Sequence, residues 1–270
     1  VTCGIECREK LCREGPPNHQ MCNYCHRKPK RPSSNQCSGL CEENAKTACL
    51  LCKSQPKFRR TYLCGKPCQK IIARWSPYLI LEAPRGHVTY NMVEQRFIEN
   101  WKYSGTASRP PIRKIYKIIM AKAFFEQYQE YMKRVGNEQH AYHGTTKAPQ
   151  CTLGTLQNAQ LCSNNLCSLC SILRTSFKAS YAKSYTAFGA GIYTSTASNK
   201  AYNYTESGRG AMIVSTVALG KVFNVSAFAE VKSCPVGFNS IVFDRGINGS
   251  LNETVVYDDD AIRPVYLIFF

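Results

Sequence analysis

Residues 188–204 read FGAGIYTSTASNKAYNY, placing two glycines, three tyrosines and a short helical pattern within seventeen residues. Glycine lets backbone approach where any Cβ would clash. Tyrosine offers a broad flat face with a polar tip. The stretch predicts a strand, a turn and a small helix that hold a flat aromatic ligand, with the glycines drawing backbone against it. Its GAG is an incomplete G-x-G-x-x-G, because the third glycine is absent and no long helix follows. A doubly wound dinucleotide fold is therefore not expected.

On either side, NMVEQRFIENWKY and AKAFFEQYQEYMKRV carry helical periodicity. IRKIYKIIM is ambiguous, its β-branched residues favouring a strand and its isoleucine spacing a helix. RWSPYLILEAPRGH has two prolines and reads as the linker that ends a cysteine-rich region near residue 78. The C-terminal third is strand-rich: AMIVSTVALGKVF, NSIVFDRG, ETVVYDD and VYLIFF, separated by turn residues. The pattern is α+β with a late antiparallel sheet. Two domains are expected, residues 1–78 and 79–270.

Eleven of the sixteen cysteines precede residue 69. CNYCHRKPKRPSSNQCSGLCEENA and CLLCKSQPKFRRTYLCGKPCQKII align without gaps at a period of 27, each reading C-x2-C-x11-C-x3-C. A C-x2-C knuckle aims two sulfurs at one point, and C-x3-C on a helix puts two more on one face. FRRTYL between the pairs suits a hairpin strand. Four converging thiolates make a closed tetrahedral zinc site of treble-clef type. The expected ligands are Cys22, Cys25, Cys37 and Cys41 for one zinc, and Cys49, Cys52, Cys64 and Cys68 for a second. Interleaved use of Cys37, Cys41, Cys49 and Cys52 has similar local spacing, and a disulfide framework is the competing explanation. Cys3, Cys7, Cys12 and His19 are candidates for a further site. Cys151, Cys162, Cys167 and Cys170 suit one more structural zinc, and Cys234 is expected to be a lone thiol.

Three ordered segments carry a resemblance: YHGTT (142–146), FGAGIYTSTASNKAYNY (188–204) and NETVVYDDDAIRPVYLIFF (252–270). In order and spacing they resemble the poly(ADP-ribose) polymerase-like ADP-ribosyltransferases, over roughly residues 90–270. The resemblance implies a split antiparallel β-sheet ADP-ribosyltransferase fold preceded by treble-clef-like zinc modules. It implies that NAD is the substrate and that His143, Tyr193 and Glu253 form a catalytic triad. His143 is then expected on the adenosine-side ribose and Gly144 backbone on the nicotinamide carboxamide. Tyr193 and Tyr204 would sandwich the nicotinamide ring, and Glu253 would bond its ribose. The family's carboxamide-binding serine falls on Ala201, with Ser198 a substitute if the register shifts.

Breaking the bond between nicotinamide and ribose develops a cation that a nearby carboxylate stabilises. The implied activity is transfer of ADP-ribose to a protein or nucleic-acid acceptor. The short segments between the last strands favour mono(ADP-ribosyl)ation. NAD glycohydrolase is an alternative using the same residues, and an inactive zinc-finger adaptor is another. A secreted, disulfide-bonded toxin would suit the four N-x-S/T sequons (Asn203, Asn224, Asn248 and Asn252), although a glycan on Asn252 would obstruct Glu253.

The formal charge is +17, which suggests an acidic partner such as nucleic acid. Each four-thiolate zinc site carries about −2, and that removes much of the excess. HRKPKRP and KSQPKFRR place basic residues in the zinc modules, where they suit either contact with phosphates or an equally expected solvated loop. No apolar run approaches bilayer length, and no signal peptide is visible. An intracellular protein of nucleus or cytoplasm, without membrane association, is expected.

Overall fold

The ambiguous IRKIYKIIM stretch forms a strand because its apolar residues serve two faces at once. The computed structural model describes residues 4–14, 18–59, 61–74, 78–102, 108–155, 160–182, 186–206, 210–244 and 252–270. Its helices are α1 (Ile5–Glu14), α2 (Gly39–Ala45), α3 (Lys66–Arg74), α4 (Val88–Glu99), α5 (Lys122–Val135), α6 (Ser168–Thr175) and α7 (Ser198–Tyr202). Its strands are β1 (Leu79–Ala83), β2 (Lys114–Ile119), β3 (Glu138–Thr146), β4 (Ile192–Thr194) and β5 (Gly210–Ala218), followed by β6 (Val222–Val225), β7 (Ser240–Phe243), β8 (Glu253–Val256) and β9 (Ile262–Phe269).

The larger sheet has the order β1-β2-β9-β5-β3, with every pair antiparallel. Successive side chains of a strand point to opposite faces, and both faces here are covered. Tyr116, Ile118, Ile213, Leu267 and Phe269 face one core with Tyr128 and Tyr131 of α5 and Leu169 and Leu173 of α6. Ile115, Met212, Val214 and Ile268 face the other core with Tyr90, Val93 and Phe97 of α4. The smaller sheet has the order β4-β8-β7-β6. Its β4–β8 and β8–β7 pairings are antiparallel, and β6 joins β7 in parallel.

The stretch read as a linker contains β1, which pairs with β2 from Leu79↔Ile119 to Ala83↔Ile115. No proline falls within Leu79–Ala83, so the strand is not interrupted.

The cysteine repeat is repeated in space. Cys22 N–H donates to Lys28 O at 2.8 Å, and Cys49 N–H to Gln55 O at 2.7 Å. The bridge Met21↔Pro29 recurs as Ala48↔Pro56. His26 and Lys53 both take positive φ, 55° and 54°. The helices α2 and α3 begin at Gly39 and Lys66, again 27 apart. FRRTYL is not a hairpin strand: Phe58 N–H donates to Leu63 O at 2.7 Å, closing a loop.

The second repeat shares a core with the larger sheet. Leu50, Leu51, Leu63 and Ile71 lie in one buried cluster with Leu81, Ile115, Met212 and Ile268. Buried His87 tethers the same region, bonding Ala48 O through Nε2 at 2.9 Å and accepting from Thr89 N–H through Nδ1 at 3.0 Å, which caps α4.

Candidate active site and cysteine centres

The two sheets meet at the Tyr142–Ser195 bridge, and the candidate site lies on that seam. Tyr142 N–H donates to Ser195 O at 2.7 Å, and Ser195 N–H returns to Tyr142 O at 2.9 Å. Backbone groups two residues apart on a strand face the same edge. Gly144 therefore presents its N–H and C=O on the edge that Tyr142 uses, toward the cleft. That cleft is lined by His143 and Gly144 from β3, Tyr193 from β4, Lys200 and Ala201 from α7, and Tyr204 and Glu253.

His143 Nδ1 bonds the Tyr193 carbonyl at 2.8 Å. A carbonyl only accepts, so the proton sits on Nδ1 and Nε2 keeps its lone pair. Burial pulls the His143 pKa below 6.5, partly offset by the Tyr193 bond. Phe177 meets the imidazole edge-to-face, with centroids 5.1 Å apart.

The Tyr193 hydroxyl accepts from Phe188 N–H at 2.8 Å and donates to Gly189 O at 3.0 Å. Its ring is thereby fixed by both ends. Burial raises the hydroxyl pKa, and the Glu253 carboxylate adds to the rise. Tyr204 is 59 % exposed and shares no ring contact with Tyr193. One aromatic wall is rigid and the other stands open.

Glu253 opens β8 opposite Phe243 and is 7 % exposed. Its neighbour Asn252 is pinned by Ser195 Oγ at 2.8 Å and Thr196 N–H at 3.0 Å, both donating to Oδ1. The Asn252 side chain is thus engaged in the fold, as suits a chance sequon. Lys200 Nζ lies 2.9 Å from Glu253 Oε1. The sequence reading missed Lys200. Its signal was a lone cation one residue before Ala201, on a turn too short to reveal a helix face.

Two expectations about the 188–204 stretch are corrected. Gly189, at φ 80°, and Gly191 do press against backbone and side chain, but of this protein: a Cβ would strike Lys232 O at the first and Val255 at the second. Neither lines the cleft. Gly144 has the same need, since a Cβ there would collide with the Ala201 carbonyl. Ser198 cannot replace the missing serine, because its fully buried hydroxyl donates to Phe97 O at 2.8 Å.

Among the described residues, three groups of four cysteines converge, each with all sulfurs within 4.8 Å of one another: Cys22/25/37/41, Cys49/52/64/68 and Cys151/162/167/170. All twelve are free thiols. Neighbouring sulfurs lie 3.6 Å apart for Cys25 and Cys37, 3.8 Å for Cys52 and Cys64, and 3.6 Å for Cys151 and Cys170. A tetrahedron with Zn–S of about 2.3 Å has edges of about 3.8 Å, so each donor set fits zinc. Closed four-thiolate sites leave no open position for a reactant, which makes their role structural. The structure does not gather the further candidate set. Cys3 lies outside the described residues, Cys7 is disulfide-bonded, the free Cys12 thiol hydrogen-bonds Cys68 of the second repeat, and His19 is exposed.

Fold and site together define the class, a split-sheet ADP-ribosyltransferase. The family follows from the sequence: the model of the poly(ADP-ribose) polymerase catalytic domain matches residues 88–244. The chain belongs to that family of NAD-dependent ADP-ribosyltransferases. The match ends before β8, so it does not cover Glu253. No curated protein matches the chain. No helix among the described residues is long and apolar enough to cross a membrane.

Proposed function

We propose that residues 79–270 form an active catalytic domain that transfers single ADP-ribose units from NAD to a protein or nucleic-acid acceptor. Residues 1–78 are read as the zinc-binding repeats that help recruit that acceptor. The twelve clustered thiols, all free, favour a reducing, intracellular setting, the disulfide at Cys7 notwithstanding.

The observation that carries this reading is the convergence of Glu253, Tyr193, Tyr204 and His143 on one cleft. The nicotinamide ring sits between fixed Tyr193 and exposed Tyr204, which folds over it and sheds water on binding. The outward N–H of Gly144 donates to the carboxamide oxygen, and its C=O accepts from the carboxamide NH2. His143 Nε2 accepts from a hydroxyl of the adenosine-side ribose. Glu253, held by Lys200, accepts from the nicotinamide ribose and faces the positive charge that develops there. The glycosidic pair of electrons leaves with nicotinamide, which departs neutral. The acceptor's oxygen or nitrogen then forms the new bond to the ribose carbon and releases its proton.

Adenylate-labelled NAD tests this directly, with nicotinamide release and label transfer followed side by side in the wild-type chain and in Glu253→Gln. Transfer that falls at least a hundredfold in the variant supports the proposal. Nicotinamide release without transfer points to a glycohydrolase. Absence of both from folded, zinc-loaded protein leaves a binding module.

A further inference from the structure

We propose that the crevice between the first cysteine repeat and the Pro84–His87 turn binds a base of single-stranded nucleic acid. Its wall includes Asn23, Tyr24, Asn35 and Gln36 from the first repeat, with Lys46 and Lys53 beside them.

The repeat supplies the main argument. Shifted by 27, these four wall positions become Leu50, Leu51, Tyr62 and Leu63 in the second repeat. There the same face is apolar and packs into the core that covers the larger sheet. In the first repeat that face carries three primary amides and one aromatic ring. The face that docks on protein core in one copy is therefore rebuilt for a flat, polar partner in the other.

The side chains are available. Tyr24 is half-buried, and among the described residues its ring packs against no other ring or cation. The Asn23 and Asn35 amides and the Lys53 ammonium likewise have no partner among them. Gln36 commits only its oxygen, accepting from Ser34 Oγ at 3.2 Å. Amides pair with base edges, an aromatic face stacks on any base, and lysines meet phosphates. The crevice volume of about 200 Å³ is below that of pockets that enclose a whole ligand. One base entering from a strand that crosses the surface suits it, whereas a duplex buries its bases.

Charge agrees with the placement. Residues 1–78 carry fifteen lysines and arginines against five acidic residues, while residues 79–270 carry twenty against thirteen. Two four-thiolate zinc sites, at about −2 each, leave the smaller segment clearly positive. An acidic peptide would satisfy the lysines but leave the amides and the ring without partners.

The test is fluorescence anisotropy of the full, zinc-loaded chain with a labelled twelve-nucleotide single strand, the matching duplex and polyglutamate, each at two salt concentrations. Tyr24→Ala should weaken single-strand binding at least fivefold and Tyr24→Phe by less than twofold, since the ring does the stacking. Asn35→Ala, at an exposed position, should weaken it without loss of zinc. Lys53→Glu should reduce the slope of log affinity against log salt by about one. Zinc content and circular dichroism of each variant separate lost contacts from lost fold. Equal affinity for duplex, equal affinity for polyglutamate, or indifference to both Tyr24→Ala and Asn35→Ala in folded protein would overturn the proposal. None of these outcomes depends on transferase activity.

Discussion

Lys200 and Glu253 form an ion pair at 2.9 Å, with their side chains only 16 % and 10 % exposed. The pair spans α7 and the start of β8, so it ties the two halves of the cleft together. Removing one member of a shielded pair leaves the other charge poorly solvated. Lys200→Met should therefore cost about 1–3 kcal/mol of stability, less than a fully buried pair because some solvent reaches it. It should also lower kcat at least tenfold, because Glu253 loses the contact that orients it. Lys200→Arg should restore part of both. Thermal melts alongside single-turnover rates check this, and an unchanged kcat would remove Lys200 from the mechanism.

In the proposed complex, Ala201 leaves the carboxamide with the backbone of Gly144 and no hydroxyl. Ala201 lines the cleft and is almost fully buried. A serine there adds only one oxygen to a wall already shaped for the ring. A net hydrogen bond is worth about 0.5–1.5 kcal/mol, or roughly two- to twelvefold in affinity. Ala201→Ser should tighten benzamide binding by that factor, measured by calorimetry. A weaker complex would mean that the hydroxyl clashes or turns away.

The parts of this fold legible in sequence were those with a local signature. The 27-residue repeat, α5 and the C-terminal strands each announce themselves in spacing. IRKIYKIIM was ambiguous because Ile115 and Tyr116 serve opposite cores, so its apolar run lacks alternation. YLILEA was misread as linker because a five-residue strand between prolines carries little pattern. His143, Tyr193 and Glu253 stand in order in the three quoted motifs, and the structure brings them to one cleft. Lys200 and Phe177 were not, since an ion pair between residues 53 apart and an edge contact across 34 leave no trace in local sequence. The glycines of 188–204 were recognised as sites of close approach, yet what approaches Gly189 is Lys232, supplied by a loop 43 residues on.

His143 gives the site a pH dependence of defined sign. Its folded pKa lies below the ordinary 6.5 because burial disfavours the imidazolium. The unfolded chain therefore binds the proton first as pH falls, and the native state loses stability. The His143 contribution should be fully present above pH 6.5 and decline below it. Carbon-13-edited NMR should report a neutral imidazole at pH 6.5. His143→Gln should flatten the acid limb of stability below pH 6.5, and an unchanged limb would assign the effect elsewhere.

Phe177 links the third cysteine cluster to His143. Cys167 caps α6, Cys170 lies within it, and the helix ends at Thr175, just before Phe177 meets His143. The Cys167 sulfur also accepts from Ala148 N–H at 3.3 Å, close behind the strand that carries His143 and Gly144. Loss of that zinc should loosen both supports of the imidazole. Cys170→Ser should reduce bound zinc from three per chain to two, by elemental analysis, and raise KM for NAD. Phe177→Leu should raise KM about three- to tenfold while keeping three zincs. A Phe177→Leu enzyme with wild-type KM would break the proposed link.

The shared core decides where the catalytic domain can be cut. Leu50, Leu51, Leu63 and Ile71 of the second repeat are buried in one cluster with the sheet residues Leu81, Ile115, Met212 and Ile268. At about 2 kcal/mol for each buried aliphatic side chain, the docked module is worth several kcal/mol. That is comparable with the whole stability of an ordinary domain, about 5–15 kcal/mol. A chain of residues 79–270 would expose this apolar sheet face and should aggregate or melt at least 10 °C lower. A chain of residues 47–270 keeps the second repeat and should stay soluble, hold two zincs and retain NAD cleavage. If residues 79–270 alone proved as stable as the longer chain, the second repeat would be an accessory resting on the sheet rather than part of its core.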